Sequence, residues 1–342
     1  HPAPLCGRAF VALAVKAEGS LPMSQRLHVF MLLAAVLCIA GSCTKSDQNG
    51  ALNLAFVING PSDFWTFARA GIRKAEKEFN VTVDFETPGD GTAALQAQII
   101  RGLITKGVQG IAVSVLDPKG AIGILNEAAK RMPVVTQDSD CPESNRKAYI
   151  GTDNLDAGRV AGREILKALP DGGQVALFVG KLDVANARER RDGILEVIKG
   201  SKVTVVETFT DETERPRAQS NVRNALDKYP NLKGLVGLWA YNPPAIVKVV
   251  KEKGLQGKVK VIGFDENKQT LDAIENGVID ATVVQQPYEF GYQSIRALAM
   301  LARNQDPGLP ANGLYYVPVR VIDKNNVKNF RLTVEKLLSE GK

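Results

Sequence analysis

From Leu52 onward the chain alternates short apolar runs of strand length with polar turns and stretches of helical period. LNLAFVI at 52–58 gives way to NGPSDFW and then to a helix-period segment over 67–79. VTVDFET, a helix from about Ala93 to Lys106, GIAVSV, a helix from about Lys119 to Arg131 and PVVTQ follow. Apolar strands separated by helices predict βαβ units and a parallel sheet covered on both faces. YIG at 149–151 then runs into TDN and a helix beginning near Ala157. A second series, QVALFVG, VTVVETF, LKGLVGL, VKVIGF and IDATVVQ, predicts a second such sheet. The C-terminal part adds a helix from about Gly291 to Arg303, the turn-rich QDPGLPANG, the strand LYYVPVRVI and a helix near 326–338. That is more than the second lobe needs, so the chain is expected to cross back to complete the first. The expected architecture is α/β, with two Rossmann-like lobes joined by three crossovers near 152–156, 285–287 and 318–320. The first lobe would comprise 51–153 plus 287–318, the second 154–286 plus 319–342.

One segment occurs twice. Residues 110–138, GIAVSVLDPKGAIGILNEAAKRMPVVTQD, and 234–265, GLVGLWAYNPPAIVKVVKEKGLQGKVKVIGFD, share a strand, turn, helix and strand closing on an aspartate. Pro118 stands 20 residues before Asp138, and Pro243 stands 22 before Asp265. Two similar halves, each ending a buried strand on a carboxylate, suggest a site between lobes that clamps a polar small molecule.

Residues 1–42 read as a leader. Met23 opens a stretch with Arg26, the apolar run VFMLLAAVLCIA over 29–40 and small residues before Cys43, the order of a secretory signal. The run is short against the roughly 20 residues a membrane-spanning helix needs. AGSC at 40–43 resembles a bacterial lipobox with Ala40 where leucine is usual, which makes Cys43 the expected lipid site and 43–50 a polar tether. Without residues 1–42 the charge falls from 43 basic and 37 acidic residues to 40 and 36, a net +4. It is spread without a basic block, which argues against nucleic acid as a partner. Both histidines lie in the leader, so a mature chain would lack Ser-His-Asp and Cys-His pairs and imidazole metal ligands. Cys141 would then be the only cysteine besides Cys43, leaving stability to core burial. No GxGxxG phosphate fingerprint follows the first strand, so no nucleotide cofactor is expected, and no metal.

Ligands of parallel α/β sheets sit at the carboxyl ends of the strands. The loops there offer Asn59, Asp63, Phe64 and Trp65 in the first lobe, a mixture of polar groups and flat rings that suits a sugar, and Asp138 after PVVTQ. Asp140 is read as a cap. In the second lobe NARERRDG carries three arginines, of which one is expected to point into the cleft. Trp239 and Asn242 end the strand of the repeat, Asp265 ends the next and Gln285 the last.

These ordered motifs, the FW pair, VVTQD, YIGTDN, ARERRDG, VIGFDE and DATVVQQP, resemble the ribose-binding branch of the type I periplasmic binding proteins, the solute receptors of sugar ABC importers. The resemblance covers roughly 52–322. It implies two Rossmann-like lobes, three hinge strands and closure around one monosaccharide. By motif it makes Phe64 and Trp65 the ring-sandwiching aromatics, Asp138 and Asp265 the sugar-binding acids, Arg188 the second-lobe arginine and Gln285 the hinge amide. Ser139 stands where the family usually has arginine, and LWAYNPP replaces its aromatic and asparagine region. A pentose, a deoxyhexose, an inositol or a furanone-type signal would all fit. The expected protein is a monomeric, lipid-anchored extracytoplasmic receptor that delivers a sugar or polyol to a membrane ABC permease, without catalysis. The alternatives are a sensor feeding a membrane receptor and an exported glycosidase using Asp138 and Asp265.

Overall fold

The computed structural model describes residues 51–62 and 64–340. Asp63 and residues 1–50, which include the expected leader, tether and lipid site Cys43, lie outside the described residues. The remainder forms two six-stranded sheets of matching strand order. The first sheet runs β11-β5-β4-β3-β1-β2, with β1 Leu52–Val57, β2 Val81–Glu86, β3 Ile111–Val113, β4 Val134–Gln137, β5 Ala148–Gly151 and β11 Leu314–Tyr316. The second runs β12-β10-β9-β8-β6-β7, with β6 Gly173–Val179, β7 Val203–Thr210, β8 Leu232–Gly237, β9 Lys260–Phe264, β10 Ala281–Val284 and β12 Arg320–Asp323. The pairings are parallel except for β10 with β12, which is antiparallel. β3, β4, β5 and β10 are buried along their whole length, as expected of strands covered on both faces.

Helices α1 (Phe64–Phe79) and α9 (Pro287–Ala302) cover one face of the first sheet, and α2 (Ala93–Lys106) and α3 (Pro118–Ala129) the other. In the second lobe α4 (Asn154–Ala168) and α5 (Ala185–Ile198) lie on one face. Helices α6 (Arg215–Lys228), α7 (Asn242–Glu252), α8 (Lys268–Glu275) and α10 (Val327–Glu340) lie toward the other. The repeated segment is β3–α3–β4 in one lobe and β8–α7–β9 in the other, each helix with its proline in the first turn.

The chain passes between sheets after β5, after β10 and between β11 and β12. LYYVPVRVI is therefore two short strands in different sheets, because Pro318 has no N–H to continue a ladder. Three helices begin earlier than the apolar period indicates. The Ser62 hydroxyl accepts from the Phe64 N–H at 3.3 Å, Asp153 caps α4 by accepting from the Asp156 N–H at 2.9 Å, and Pro287 opens α9.

A glycine contact is repeated in both lobes. A Cβ on Gly71 of α1 would lie 2.0 Å from the Tyr288 carbonyl oxygen of α9, and one on Gly291 would lie 2.1 Å from that of Ala68. In the second lobe a Cβ on Gly193 of α5 would lie 2.1 Å from the Leu155 oxygen of α4, and one on Gly158 would lie 2.2 Å from that of Arg190. In each lobe the helix that follows the first strand thus meets, backbone to backbone, the helix that follows a crossover. Gly71→Val is expected to cost about 3 kcal/mol or more of stability, at the upper end of overpacking penalties, measured by urea unfolding. Gly123→Ala, at a position with nothing within 4 Å, should leave stability unchanged or slightly raised.

Candidate functional site

The site lies where both sheets present their strand carboxyl ends. Asp138 follows β4 and Asp265 follows β9, and both adopt left-handed backbone conformations, with φ of 59° and 65°. Such φ values are uncommon for residues other than glycine and concentrate at functional positions. The local bonding is the same in both lobes. The N–H of Asp138 donates to the Ile150 carbonyl at 3.3 Å, and that of Asp265 to the Val283 carbonyl at 2.9 Å. The Tyr149 hydroxyl stands 3.0 Å from the Asp138 carbonyl, and the Thr282 hydroxyl donates to the Asp265 carbonyl at 2.9 Å. Each turn is thereby pinned to the neighbouring strand.

The two carboxylates are held differently. Asp138 Oδ2 accepts from Ser114 Oγ at 2.7 Å, Asn59 Nδ2 at 3.2 Å and Ser139 Oγ at 3.4 Å. Asp265 Oδ1 accepts from Gln285 Nε2 at 2.8 Å. Asp138 Oδ1 and Asp265 Oδ2 accept no side-chain hydrogen bond among the described residues, and the Gln285 backbone N–H also bears on the Asp265 carboxylate. Buried Gln96 stands behind the first group. It donates to the Ile58 and Ser114 carbonyls at 3.1 and 2.8 Å and accepts from the Leu116 N–H at 3.1 Å, tying the loop of Asn59 to that of Ser114.

Arg190, on α5, is 2% exposed. Its Nε donates to Asn154 Oδ1 at 3.0 Å and its Nη1 to the Leu238 carbonyl at 2.8 Å, while the guanidinium lies over the Phe264 ring at 4.6 Å. Nη2 has no partner among the described residues. The arginine acts electrostatically on both Asp138 and Asp265. Burial raises the Asp138 carboxyl from 3.8 to about 6 against the opposing Ser114 hydrogen bond and Arg190 charge. Burial likewise raises Asp265, and it pushes the adjacent Glu266 well above the usual carboxylate range, with the Asp265 charge adding to the effect.

Four expectations change. Arg188 is exposed and donates to the Leu182 and Asp183 carbonyls, so Arg190 takes the inner position expected of it. Ala187, Arg190, Ile194 and Ile198 share the buried face of α5 at helical spacing, and Arg188 lies well off that face. Asn242 is consumed structurally: it is 1% exposed, its Nδ2 donates to Asp211 Oδ2 at 3.1 Å and its Oδ1 accepts from the Trp239 N–H at 3.0 Å. Trp65 is 4% exposed and packs edge-on behind Phe64, ring centroids 5.0 Å apart, whereas Phe64 is only half-buried. Asp140 accepts from the Cys141 N–H at 2.7 Å but caps no helix, and it is also an ion-pair partner, with Arg146 Nε and Nη2 at 2.5 and 2.6 Å. Trp239 is half-buried, with Nε1 donating to Asn186 Oδ1 at 3.0 Å, and its ring lies so near Gly180 that a Cβ there would meet it at 2.0 Å.

A separate depression of about 440 Å³ lies at the amino ends of the second-lobe strands, lined by Lys167, Lys260, Glu164, Asp280 and Asp323. Its Lys167 and Lys260 pair with its own carboxylates, and it holds no aromatic ring. Among the described residues no group of acids and cysteines could hold a metal, and no helix is long and apolar enough to cross a membrane.

Residues 54–306 match the family described as a periplasmic binding protein domain. The chain is 28% identical over 272 residues to the D-allose-binding periplasmic protein of Escherichia coli, covering 76% of this chain and 88% of that one. An ABC transporter solute-binding protein from Burkholderia graminis, solved in complex with D-arabinose, superposes with a TM-score of 0.77 at 31% identity, covering 82% of this chain and 98% of that one. A structure described as the XylFII-LytSN complex superposes with a TM-score of 0.74 at 29% identity, covering 80% and 98%.

The raised carboxyls have a signed consequence for stability. The folded protein holds the Asp138 proton up to about pH 6, whereas the unfolded chain releases it near its ordinary value of 3.8. The contribution is therefore full below the unfolded value and is lost as pH rises through about 6. Asp138→Asn, which mimics the protonated acid, should be more stable than the wild type at about pH 8, by up to about 3 kcal/mol at roughly 1.4 kcal/mol per pH unit. The difference should close by about pH 4 in thermal melts. A variant less stable than wild type at the higher pH would contradict this reading.

Proposed function

As this chain belongs to the periplasmic binding protein family, we propose that it is an extracytoplasmic receptor that binds a neutral monosaccharide or polyol between its lobes and hands it to a membrane ABC importer. The observation that carries the assignment is the set of polar atoms left open around the two turns: Asp138 Oδ1 from one lobe, Asp265 Oδ2 and Arg190 Nη2 from the other. A sugar hydroxyl donates to one oxygen and accepts from another group, so acceptors and a guanidinium donor together match a polyhydroxyl ligand, and charge-assisted bonds are about twice as strong as neutral ones. The flat flank of Phe64 suits the C–H face of a pyranose or furanose ring. Asn59 and Gln285 orient the carboxylates, and Trp65 backs Phe64. Trp239 forms part of the second-lobe wall, while Asn242 and Arg188 support their own loops. An excess of carboxylates over arginine disfavours an anionic sugar phosphate. Asp63 completes the candidate set from its place in the first loop.

Residues 51–153 with 287–318, and 154–286 with 319–342, act as the two lobes, with the crossovers as hinge. The protein acts as a monomer, anchored through a lipidated Cys43 after removal of residues 1–42. Mass spectrometry of the mature N-terminus tests the anchor: a diacylated or triacylated Cys43 peptide is expected, and an unmodified peptide would overturn it. A second reading, in which the loaded form signals to a membrane receptor, is favoured by the likeness to the XylFII-LytSN structure.

Titration calorimetry against D-arabinose, D-ribose, D-allose and a wider sugar panel tests the binding reading. Arg190→Lys and Asp265→Asn are each expected to weaken binding by about ten- to a hundredfold, the worth of a charged hydrogen bond. Arg188→Ala should stay within about twofold of wild type. Equal losses for Arg188→Ala and Arg190→Lys would overturn the assignment of Arg190.

A further inference from the structure

Helix α10 touches both lobes. Its start belongs to the second lobe, where Val327 and Phe330 join the core and Arg331 donates to Asp272 at 2.8 Å and to Glu275 at 3.0 Å on α8. The same helix also packs against α1 of the first lobe. Val334, Leu337 and Leu338, spaced i, i+3, i+4, form a half-buried stripe on its second half. On α1 the face toward α9 and the sheet is made by Ala68, Gly71, Ile72 and Ala75, and Ala70 lies on the opposite side. Ala70 is nevertheless only 5% exposed. At about 1.5 Å per residue, the 14 residues of α10 span roughly 21 Å, enough to bridge two lobes. The family match ends at residue 306, so this helix lies outside it.

We propose that α10 is an interlobe strap, in which Val334, Leu337 and Leu338 cover Ala70 and hold α1, with Phe64 at its start, over the ligand cleft. A stiff helix rooted in one lobe and seated on the other makes contacts that opening must break or slide. It therefore favours the approach of the lobes and acts as a positioning element for binding, setting affinity chiefly through ligand release. This inference rests on the receptor reading for its effect on affinity, but not for its effect on lobe separation.

Two independent variants disturb opposite sides of the contact, Leu337→Glu with Leu338→Glu on α10 and Ala70→Glu on α1. Leu337→Met is the conservative control. Circular dichroism melts establish that each is folded. Small-angle scattering without sugar should then show a larger radius for both charged variants than for wild type and the Met control. D-arabinose, or whichever panel sugar binds wild type, should bind the charged variants about tenfold more weakly, mostly through a faster off-rate. Folded charged variants with wild-type radius and affinity overturn the strap. Larger radii in a protein that binds no sugar would support the strap and overturn the receptor reading.

Discussion

The site depends on a left-handed aspartate turn that closes the same strand in each half of the chain. The turn follows a buried stretch of strand at the sheet's carboxyl edge, and its N–H and carbonyl are both spent on the adjacent strand. That bonding offsets the steric cost of positive φ and leaves the carboxylate free to bond side chains and a ligand instead of its own turn. Without it the two lobes would be two ordinary parallel α/β units. With it they offer a pair of matched acids to anything held between them.

The halves depart from symmetry where the chemistry is. Asp138 is gripped by hydroxyls and an amide from its own lobe, with Gln96 holding two of those loops together, whereas Asp265 is held by Gln285 at a crossover. The Arg190 charge acts on both, from a guanidinium fixed by Asn154 and the Leu238 carbonyl and lying over Phe264. Burial makes ionisation of the acids costly, and that cost is lowered by a ligand that donates hydrogen bonds to them. The same desolvation that weakens the empty protein at neutral pH thus strengthens its grip on a polyhydroxyl ligand.

Much of this was legible in the sequence. The duplicated strand–helix–strand segment exposed both lobes and both aspartates, because buried parallel strands read as continuous apolar runs. The arginine was misplaced by two residues, since Arg188, Arg190 and Arg191 are chemically alike and only the apolar positions Ala187, Ile194 and Ile198 tell which one faces inward. Asn242 looked like a ligand group because it ends a strand, but a short amide beside buried Asp211 is used up within the fold. Ser114 and Gln96 passed unnoticed because a buried hydroxyl and a buried amide carry no periodic signal. Their roles exist only once β1, β3 and α2 are brought together.

On this reading both lobes grasp one ligand through Asp138, Asp265 and Arg190. A crystal structure of the complex with the sugar that most stabilises the protein tests it most directly. The account predicts sugar hydroxyls within hydrogen-bonding distance, about 2.5–3.2 Å, of Asp138 Oδ1, Asp265 Oδ2 and Arg190 Nη2, with Phe64 against a ring face. A sugar bound to one lobe only, or touching Arg188 while Arg190 keeps to Asn154 and Leu238, would contradict it.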